Sequence, residues 1–236
     1  VCMTIACSKD KPSLPPEVGG PSKPDDETPI DQEPGRNVLA WVDAHSNVFG
    51  TYGKFNDKAE IVAILDKLKD SGVTGLVIDV KPSTGHTMYP SSLRKDLTTR
   101  DGKTRPTDYV EFLIAEAKKR QMKSYLSIVT FVEGDANRKI GYVYDNPTFK
   151  EKNESIVVAN EQGHLARIST VQNSVFVNPA QPEAQERALD LIKEITGKFD
   201  LDGFILDYCR YNDINADFSD YSKEKFIEFM KTNFND

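Results

Sequence analysis

The feature that most constrains the fold is an alternation, from Asn37 onward, between short continuous apolar runs and segments with helical spacing. Continuous apolar runs are typical of strands covered on both faces, as the strands of a parallel sheet are. The alternation therefore predicts consecutive βαβ units. The predicted strands cover residues 38–42, 76–80, 124–131 and 203–206, and the predicted helices cover residues 58–70, 109–120, 182–199 and 221–234.

Polar residues stand at the ends of several of these runs, and they decide between two α/β architectures. Asp43, Asp79 and Asp207 lie at the ends of the first, second and fourth predicted strands. A doubly wound sheet would carry a glycine-rich phosphate turn after its first strand, but residues 43–47 lack the G-x-G-x-x-G pattern. A TIM barrel places polar functional residues at the C-terminal ends of its strands. The pattern therefore favours an α/β fold of the (β/α)8 barrel type.

The number of predicted elements is half of what a closed barrel requires. The sequence shows four strands and four helices, whereas a TIM barrel has eight of each. Four parallel strands alone would leave an unpaired edge of the buried type. We therefore expect residues 37–236 to hold about the first four βα units, with strands five to eight outside this sequence.

The first 36 residues carry a different pattern. Residues 1–6 resemble the end of an apolar signal segment, a small residue precedes Cys7, and the sequence becomes polar directly after it. This pattern predicts a signal-peptide remnant, a lipid anchor on Cys7 and a place in the bacterial cell envelope, at the periplasmic or outer face of the outer membrane. The alternative is a frayed tail with a chance cysteine. Residues 8–36, rich in Pro, Gly, Ser, Asp and Glu, predict a disordered tether.

Composition excludes several classes of function. A net charge of −7 gives little attraction for phosphate backbones, so we expect no nucleic-acid partner. The three cysteines, at positions 2, 7 and 209, match no zinc site. The motifs of serine hydrolases, P-loop nucleotide enzymes and zinc proteases do not occur. We therefore expect neither a metal nor a cofactor.

The strongest candidate for chemistry is Asp207, which directly follows a predicted buried strand. A carboxylate in that position is costly unless it is paired or functional. Arg210, three residues on, could hold it ionised. An ionised, oriented carboxylate is what a retaining glycosidase uses as nucleophile and an inverting one as base. The alternative is a structural Asp–Arg pair that fixes the loop.

Other polar residues belong to the same predicted rim. Asp43 and Asp79 are candidates to bind sugar hydroxyls, with helix capping or buried hydrogen bonding as the alternative. Asp202 lies at the opposite end of the fourth strand, where turn chemistry explains it. The predicted substrate-binding residues are Asp43, Asp79, Lys81, His86, Arg210 and Tyr211.

Several longer segments resemble one known family. They are WVDA at 41–44, VIDVKPSTG at 77–85, YPSS at 89–92, VNPAQPE at 177–183, DGFILD at 202–207, and RY at 210–211 with ADFSD at 216–220. Together they resemble, over residues 37–234, the glycosyl-hydrolase-like family ten, whose members are bacterial lipoproteins often labelled alpha-amylase-like or family-ten-like glycosidases. The resemblance implies a TIM barrel, a glycan-directed hydrolase, and equivalence of Asp207 with the strand-four nucleophile of alpha-amylase-type barrels. Two positions depart from the family pattern: His86 replaces an acidic residue, and Tyr208–Cys209 replaces an Arg-plus-aliphatic pair.

These observations predict a hydrolase of O-glycosyl bonds in a poly- or oligosaccharide that uses a pair of carboxyl groups. Asp207 would be one of them, and the general acid would come from a later strand, so the 236-residue chain is expected to be inactive by itself. The first alternative is a non-catalytic glycan-binding lipoprotein. A weaker one is a hydrolase of another bond, such as an amide in cell-wall peptide.

Overall fold

The computed structural model describes residues 37–234. The strands are β1 (Leu39–Val42), β2 (Gly75–Lys81), β3 (Thr99–Arg100), β4 (Lys103–Thr104), β5 (Lys123–Val129), β6 (Val132–Asp135), β7 (Ile156–Val158), β8 (Leu165–Arg167), β9 (Ser174–Phe176) and β10 (Gly203–Asp207). The α-helices are α1 (Lys58–Asp70), α2 (Tyr109–Lys119), α3 (Tyr142–Asp145), α4 (Pro147–Asn153), α5 (Pro182–Lys198) and α6 (Asp220–Phe234). The predicted lipidation of Cys7, the signal remnant and the tether at 8–36 lie outside the described residues.

The centre of the fold is a parallel sheet with the strand order β1–β2–β5–β10. All three pairings are parallel, with Trp41 opposite Val77, Asp79 opposite Ser127, and Asp207 opposite Val129. Helices α1, α2 and α5 each precede the next strand of this sheet. The four predicted βα units are therefore present, in the predicted order.

The two faces of the sheet have different chemistry because side chains alternate along each strand. One face packs on the helices: Leu76, Ile78 and Val80 of β2 join a core with Ile61 of α1 and Leu113 of α2. The opposite face, here called the inner face, takes the alternate residues. It carries Trp41, Val77, Asp79, Ser127, Ile205 and Asp207.

The segment between β5 and α5 forms a second, smaller core that the sequence did not predict. It contains two antiparallel pairs, β6 with β9 and β7 with β8, and the short helices α3 and α4. Their buried residues include Val143, Phe149, Val157 and Phe176. The predicted third strand was also too long, since β5 ends at Val129 and not at residue 131.

Within the described residues, β1 and β10 form the two edges of the main sheet. Helix α6, which follows β10, buries none of its side chains, and Phe226 and Phe229 are more than half exposed. Ser219 caps the start of this helix, because its hydroxyl accepts a hydrogen bond from the Ser222 amide at 3.3 Å. No described helix combines the length and hydropathy that a membrane crossing requires.

Candidate functional site

The carboxyl ends of the strands bring three aspartates to one region of the inner face. Asp79, near the end of β2, is 5% exposed. Its Oδ1 accepts a hydrogen bond from the Trp41 indole nitrogen at 2.7 Å, and its Oδ2 accepts one from the Ala44 amide at 3.2 Å. The hydroxyl of Ser127, directly opposite Asp79, is buried and has no partner among the described residues. Asp79 is therefore a buried, oriented carboxyl group next to an unsatisfied hydroxyl.

The charge state of Asp79 depends on its neighbours. Burial raises its pKa to about 7, although the hydrogen bonds from Trp41 and Ala44 act in the opposite direction. The negative charges of Asp43 and Asp207 raise the pKa further. Asp79 therefore senses the charges of both other aspartates, which places it between them electrostatically.

The raised pKa of Asp79 predicts how stability changes with pH. The folded pKa of about 7 lies above the ordinary aspartate pKa of 3.8, so the folded protein holds this proton more tightly and loses stability as pH rises from about 4 through 7. We expect the free energy of unfolding of the wild type to fall by up to about 4 kcal/mol relative to Asp79→Asn over this interval. Urea unfolding of both full-length proteins between pH 4 and 8 measures the difference. Parallel pH profiles would contradict the burial of a titrating carboxyl group here.

Asp43, for which the sequence left sugar binding and helix capping open, is a capping residue. It caps the short π-helical turn Ala44–Val48, and its Oδ1 accepts hydrogen bonds from both the amide and the hydroxyl of Ser46 at 2.6 Å. Burial raises the pKa of Asp43, but these bonds and the nearby His45 outweigh it and lower the pKa overall. Asp43 is therefore an ionised capping group at the edge of the site, which agrees with the capping alternative.

Asp207 ends β10 on the inner face. Its Oδ1 accepts a hydrogen bond from the Tyr208 amide at 2.9 Å, and its carbonyl oxygen accepts one from the Thr130 amide at 2.7 Å. Burial raises its pKa, while the Tyr208 amide and the charge of Arg210 act to lower it. Asp207 is thus half-buried, fixed through its backbone to the end of β5, and keeps Oδ2 available to a ligand.

The expected ion pair between Asp207 and Arg210 does not form in the part of the chain that the structure describes. Tyr208 has a φ of 46°, and this left-handed turn redirects the residues that follow. The Arg210 guanidinium instead donates to the carbonyl oxygens of Tyr211, at 2.8 Å, and Asn212. It also lies 4.7 Å from the centre of the Tyr208 ring. Arg210 therefore stabilises the loop after β10 through hydrogen bonds to its backbone. The side chain of Tyr211, in the same loop, is 40% exposed.

Lys81 is not placed as a sugar ligand, contrary to the sequence prediction. Its side chain is 1% exposed and lies 3.2 Å from Glu133 Oε1. The ammonium group donates to the carbonyl oxygens of Val129, Thr130 and Val132, the last at 2.8 Å. Burial lowers the pKa of Lys81 to about 8, with Glu133 acting in the opposite direction. Lys81 therefore holds the chain after β5 in place from below the surface.

His86 is also withdrawn from the rim. It is 5% exposed, and its Nε2 lies 2.7 Å from Asp145 Oδ2. This contact joins the loop after β2 to α3. The predicted contact of His86 with a sugar is therefore at odds with the structure, because the ring is buried and committed to Asp145.

A Ser–His contact near the rim, which the sequence did not single out, does not have the chemistry of a nucleophile. His45 Nε2 lies 2.9 Å from the Ser83 hydroxyl, and the Arg100 guanidinium donates to His45 Nδ1. An acceptor at Nδ1 requires the neutral ring to carry its proton on Nε2, so His45 donates to Ser83 and cannot remove its proton. Burial and the positive charge of Arg100 lower the pKa of His45 to about 4.

The parallel sheet, with polar residues at the carboxyl ends of its strands, is consistent with part of a TIM barrel, and the sequence comparisons identify the family. Residues 38–231 match the family described as Glycosyl hydrolase-like 10. The chain belongs to this family, and the predicted resemblance is confirmed.

Two named relatives are considerably longer than this chain. An S-layer-related protein from Niallia circulans is 29% identical over 211 residues, which is 83% of this chain and 12% of the relative. Glycosyl hydrolase DigH of Escherichia coli is 27% identical over 153 residues, or 63% of this chain and 34% of that protein. The chain thus spans between about a tenth and a third of the curated relatives that it matches.

Solved structures confirm the predicted fold. Alpha-L-fucosidase isoenzyme 2 from Paenibacillus thiaminolyticus superposes with a TM-score of 0.54 at 14% identity, covering 82% of this chain and 26% of that one. A hypothetical protein from Ruminiclostridium thermocellum gives a TM-score of 0.50 at 15% identity, covering 84% and 92%. At these identities the likeness concerns the fold alone. The structure is an α/β fold consistent with part of a TIM barrel.

Proposed function

We propose that the full-length protein is a glycoside hydrolase that cleaves O-glycosyl bonds of a poly- or oligosaccharide with a pair of carboxyl groups. The observation that carries this proposal is the position of Asp207, half-buried on the inner face at the C-terminal end of β10. Catalytic groups of TIM-barrel enzymes occupy such strand ends. Membership in a glycosyl-hydrolase-like family supports the same reaction class.

In this proposal Asp207 acts as the nucleophile of a retaining reaction or the base of an inverting one. Either role requires the ionised form and a free carboxylate oxygen pointing to the sugar or to water. Among the described residues, the side chain of Asp207 accepts only the hydrogen bond from the Tyr208 amide to Oδ1, which leaves Oδ2 for this purpose. Asp79 is less suited to the second catalytic role because both of its oxygens already accept hydrogen bonds from Trp41 and Ala44.

The general acid is therefore proposed to come from a later strand of the barrel. A retaining pair would place it about 5–5.5 Å from the Asp207 carboxyl, and an inverting pair about 6.5–9.5 Å away. On this basis residues 1–236 alone are expected to release no sugar from any glycan. Turnover by this chain alone would contradict a general acid on a later strand.

The test of the proposed function is the release of new reducing ends from a panel of neutral and amino-sugar polysaccharides by the full-length protein. We expect turnover of at least one glycan class. Glycan binding without turnover would favour the alternative, a glycan-binding lipoprotein, for which the exposed rings of Tyr208 and Tyr211 are the favouring observation. Release of amines in place of reducing ends would indicate an amide hydrolase.

We also propose that the protein is attached to the bacterial cell envelope through a lipid on Cys7. The support is the apolar segment before Cys7 and the polar sequence after it. Cells fed an alkyne-labelled fatty acid are expected to label the wild type and not Cys7→Ala. Equal labelling of both proteins, or labelling of neither, would contradict the anchor.

A further inference from the structure

The loop between β10 and α6, residues 208–219, follows Asp207 directly and is bound along its length to the segment between β5 and α5. Part of the loop runs antiparallel to β7, where Ala216 forms an isolated bridge with Val157. Three hydrogen bonds of 2.8–3.0 Å cross between the two segments, and they join Val158 to Asn215, Phe218 to Ile156, and Gln172 to Asn212. The loop is therefore held in place by the second, smaller core.

Asp217, near the end of this loop, joins it to three other parts of the chain. Its Oδ2 accepts a hydrogen bond from the Ile156 amide of β7 at 2.8 Å. Its Oδ1 accepts one from the side-chain amide of Asn178, which is 1% exposed, at 3.0 Å. The Ser219 amide and the Ser222 hydroxyl donate to the same oxygen, each at 2.9 Å. One carboxyl group thus connects the loop with β7, with the segment before α5 and with the start of α6.

The first residue of the loop carries the group that orients the Asp207 side chain. The Tyr208 amide donates to Asp207 Oδ1 at 2.9 Å. Tyr208 has a φ of 46°, a conformation that a residue other than glycine keeps only when its surroundings hold it there. These surroundings are the rest of the loop and Phe176, whose ring centre lies 5.6 Å from that of Tyr208. A loop released from β7 would let Tyr208 relax, and its amide would turn away from Asp207.

We propose that Asp217 is a positioning residue for Asp207. Asp217 fixes the far end of the loop, the fixed loop keeps Tyr208 in its left-handed conformation, and the Tyr208 amide then orients the Asp207 carboxylate toward the sugar or water. This inference rests on the proposed function for the reaction that Asp207 performs. It adds a role for residues 130–181, which form the frame that holds the loop.

Hydrogen exchange of the full-length protein, measured by mass spectrometry on overlapping peptides around residues 205–212, tests the geometric step without any substrate. Asp217→Asn keeps the size of the side chain but replaces one oxygen by a donor, and both oxygens face donors, from Ile156 and from Asn178. We expect the Tyr208 amide to exchange about tenfold faster in this variant than in the wild type, because local opening of the loop costs less.

The matched control is Asp213→Asn, in the same loop. The Asp213 side chain accepts a hydrogen bond from the adjacent Ile214 amide at 2.7 Å, which ties it to its own neighbour and not to β7. Its exchange and its turnover should equal those of the wild type. If Asp217→Asn does not fold, Asn212→Ala replaces it, because it removes the contact with Gln172 and leaves Asp217 intact. The same changes are then expected at smaller size.

Kinetics of the same proteins test whether the position of Asp207 matters for the reaction. Asp217→Asn should lower kcat about 10- to 100-fold, since a small misplacement of a reacting group has effects of this size. KM should stay within about threefold, because both Asp217 oxygens are committed to the protein.

The pH profile separates positioning from a purely structural role. The Tyr208 amide lowers the pKa of Asp207, so its loss should move the acidic limb of kcat/KM to higher pH, by about half a unit. The charged groups that act on Asp207 are Arg210 in the loop and Asp79 on β2, and both stay unchanged. Removal of the Asp217 charge alone would move the limb in the opposite direction.

Unchanged exchange at Tyr208 in Asp217→Asn would overturn the proposal at its geometric step. Faster exchange with an unchanged kcat, or with an acidic limb that stays or moves to lower pH, would make Asp217 a residue of the fold alone and would also overturn it. A full-length wild type that hydrolyses no glycan would contradict the proposed function. The exchange result would still decide whether Asp217 orients the Asp207 carboxyl group, so the two failures are distinguishable.

Discussion

Lys81→Met is expected to lower the free energy of unfolding by about 3 kcal/mol or more, the loss typical when one partner of a buried ion pair is removed. Both side chains of the Lys81–Glu133 pair are at most 4% exposed. The substitution also removes the donor to three carbonyl oxygens at and beyond the end of β5. Arg94 Nη2 already donates to Glu133 Oε1 at 3.5 Å, so Glu133 keeps one partner in the variant while the three carbonyl oxygens lose the donor that Lys81 supplies. Urea unfolding at pH 7 measures the change.

The matched control is Lys118→Met. Lys118 also lies near a carboxylate, Asp200 at 3.1 Å, but both side chains are more than three-quarters exposed. Exposed pairs contribute little, so this control should stay within about 0.5 kcal/mol of the wild type. A loss below 1 kcal/mol for Lys81→Met, or equal losses for both variants, would show that Lys81 is solvated and that the loop after β5 does not depend on it.

The main sheet was predictable from the sequence because its strands carry a strong local pattern. All seven residues of β2 are buried, which explains the continuous apolar run from which the strand was predicted. The aspartates at the strand ends were predictable for the same reason, since a parallel sheet brings the C-terminal ends of its strands to one edge. The segment from residue 130 to residue 181 was not predictable from the sequence. Its strands β7 and β8 have three residues each, which is too short for a pattern of apolar and polar residues to show.

The placement of individual side chains depended on contacts distant in sequence. Lys81 looks like a rim residue locally, but its partners lie 48 to 51 positions further along the chain. Arg210 is only three residues from Asp207, yet the positive φ of Tyr208 separates their side chains. No local sequence pattern predicts a contact between residues about 50 positions apart, and none predicts a tyrosine with a positive φ.

Trp41, whose indole donates to Asp79, is a residue of the site that the sequence analysis did not identify, although the sequence held an indication of it. In a strand with alternating faces, Trp41 shares the side of Asp43, and the parallel register places both on the side of Asp79. Alternation from an already suspected aspartate would have identified the indole. The hydrogen bond that orients it still required the structure.

Asp207→Asn is expected to reduce kcat of the full-length protein by roughly 10³-fold or more, because an amide is neither a nucleophile toward an oxocarbenium-like centre nor a base for water. The substitution keeps the shape and the hydrogen bond from Tyr208, and its effect on stability should be small. Glycan affinity should therefore persist while turnover is lost. The rate of reducing-end release at saturating substrate measures the effect.

The most direct test of the central claim is this rate for Asp207→Asn beside Asp202→Asn. Asp202 adjoins the opposite end of β10 and accepts a hydrogen bond from the Ser124 amide at 2.8 Å, so it undergoes the same chemical change in the same strand region, away from the carboxyl ends of the strands. A loss of roughly 10³-fold in Asp207→Asn with near wild-type turnover in Asp202→Asn is the predicted result. Equal activity in the two variants would show that Asp207 is structural and that the catalytic carboxylate lies elsewhere.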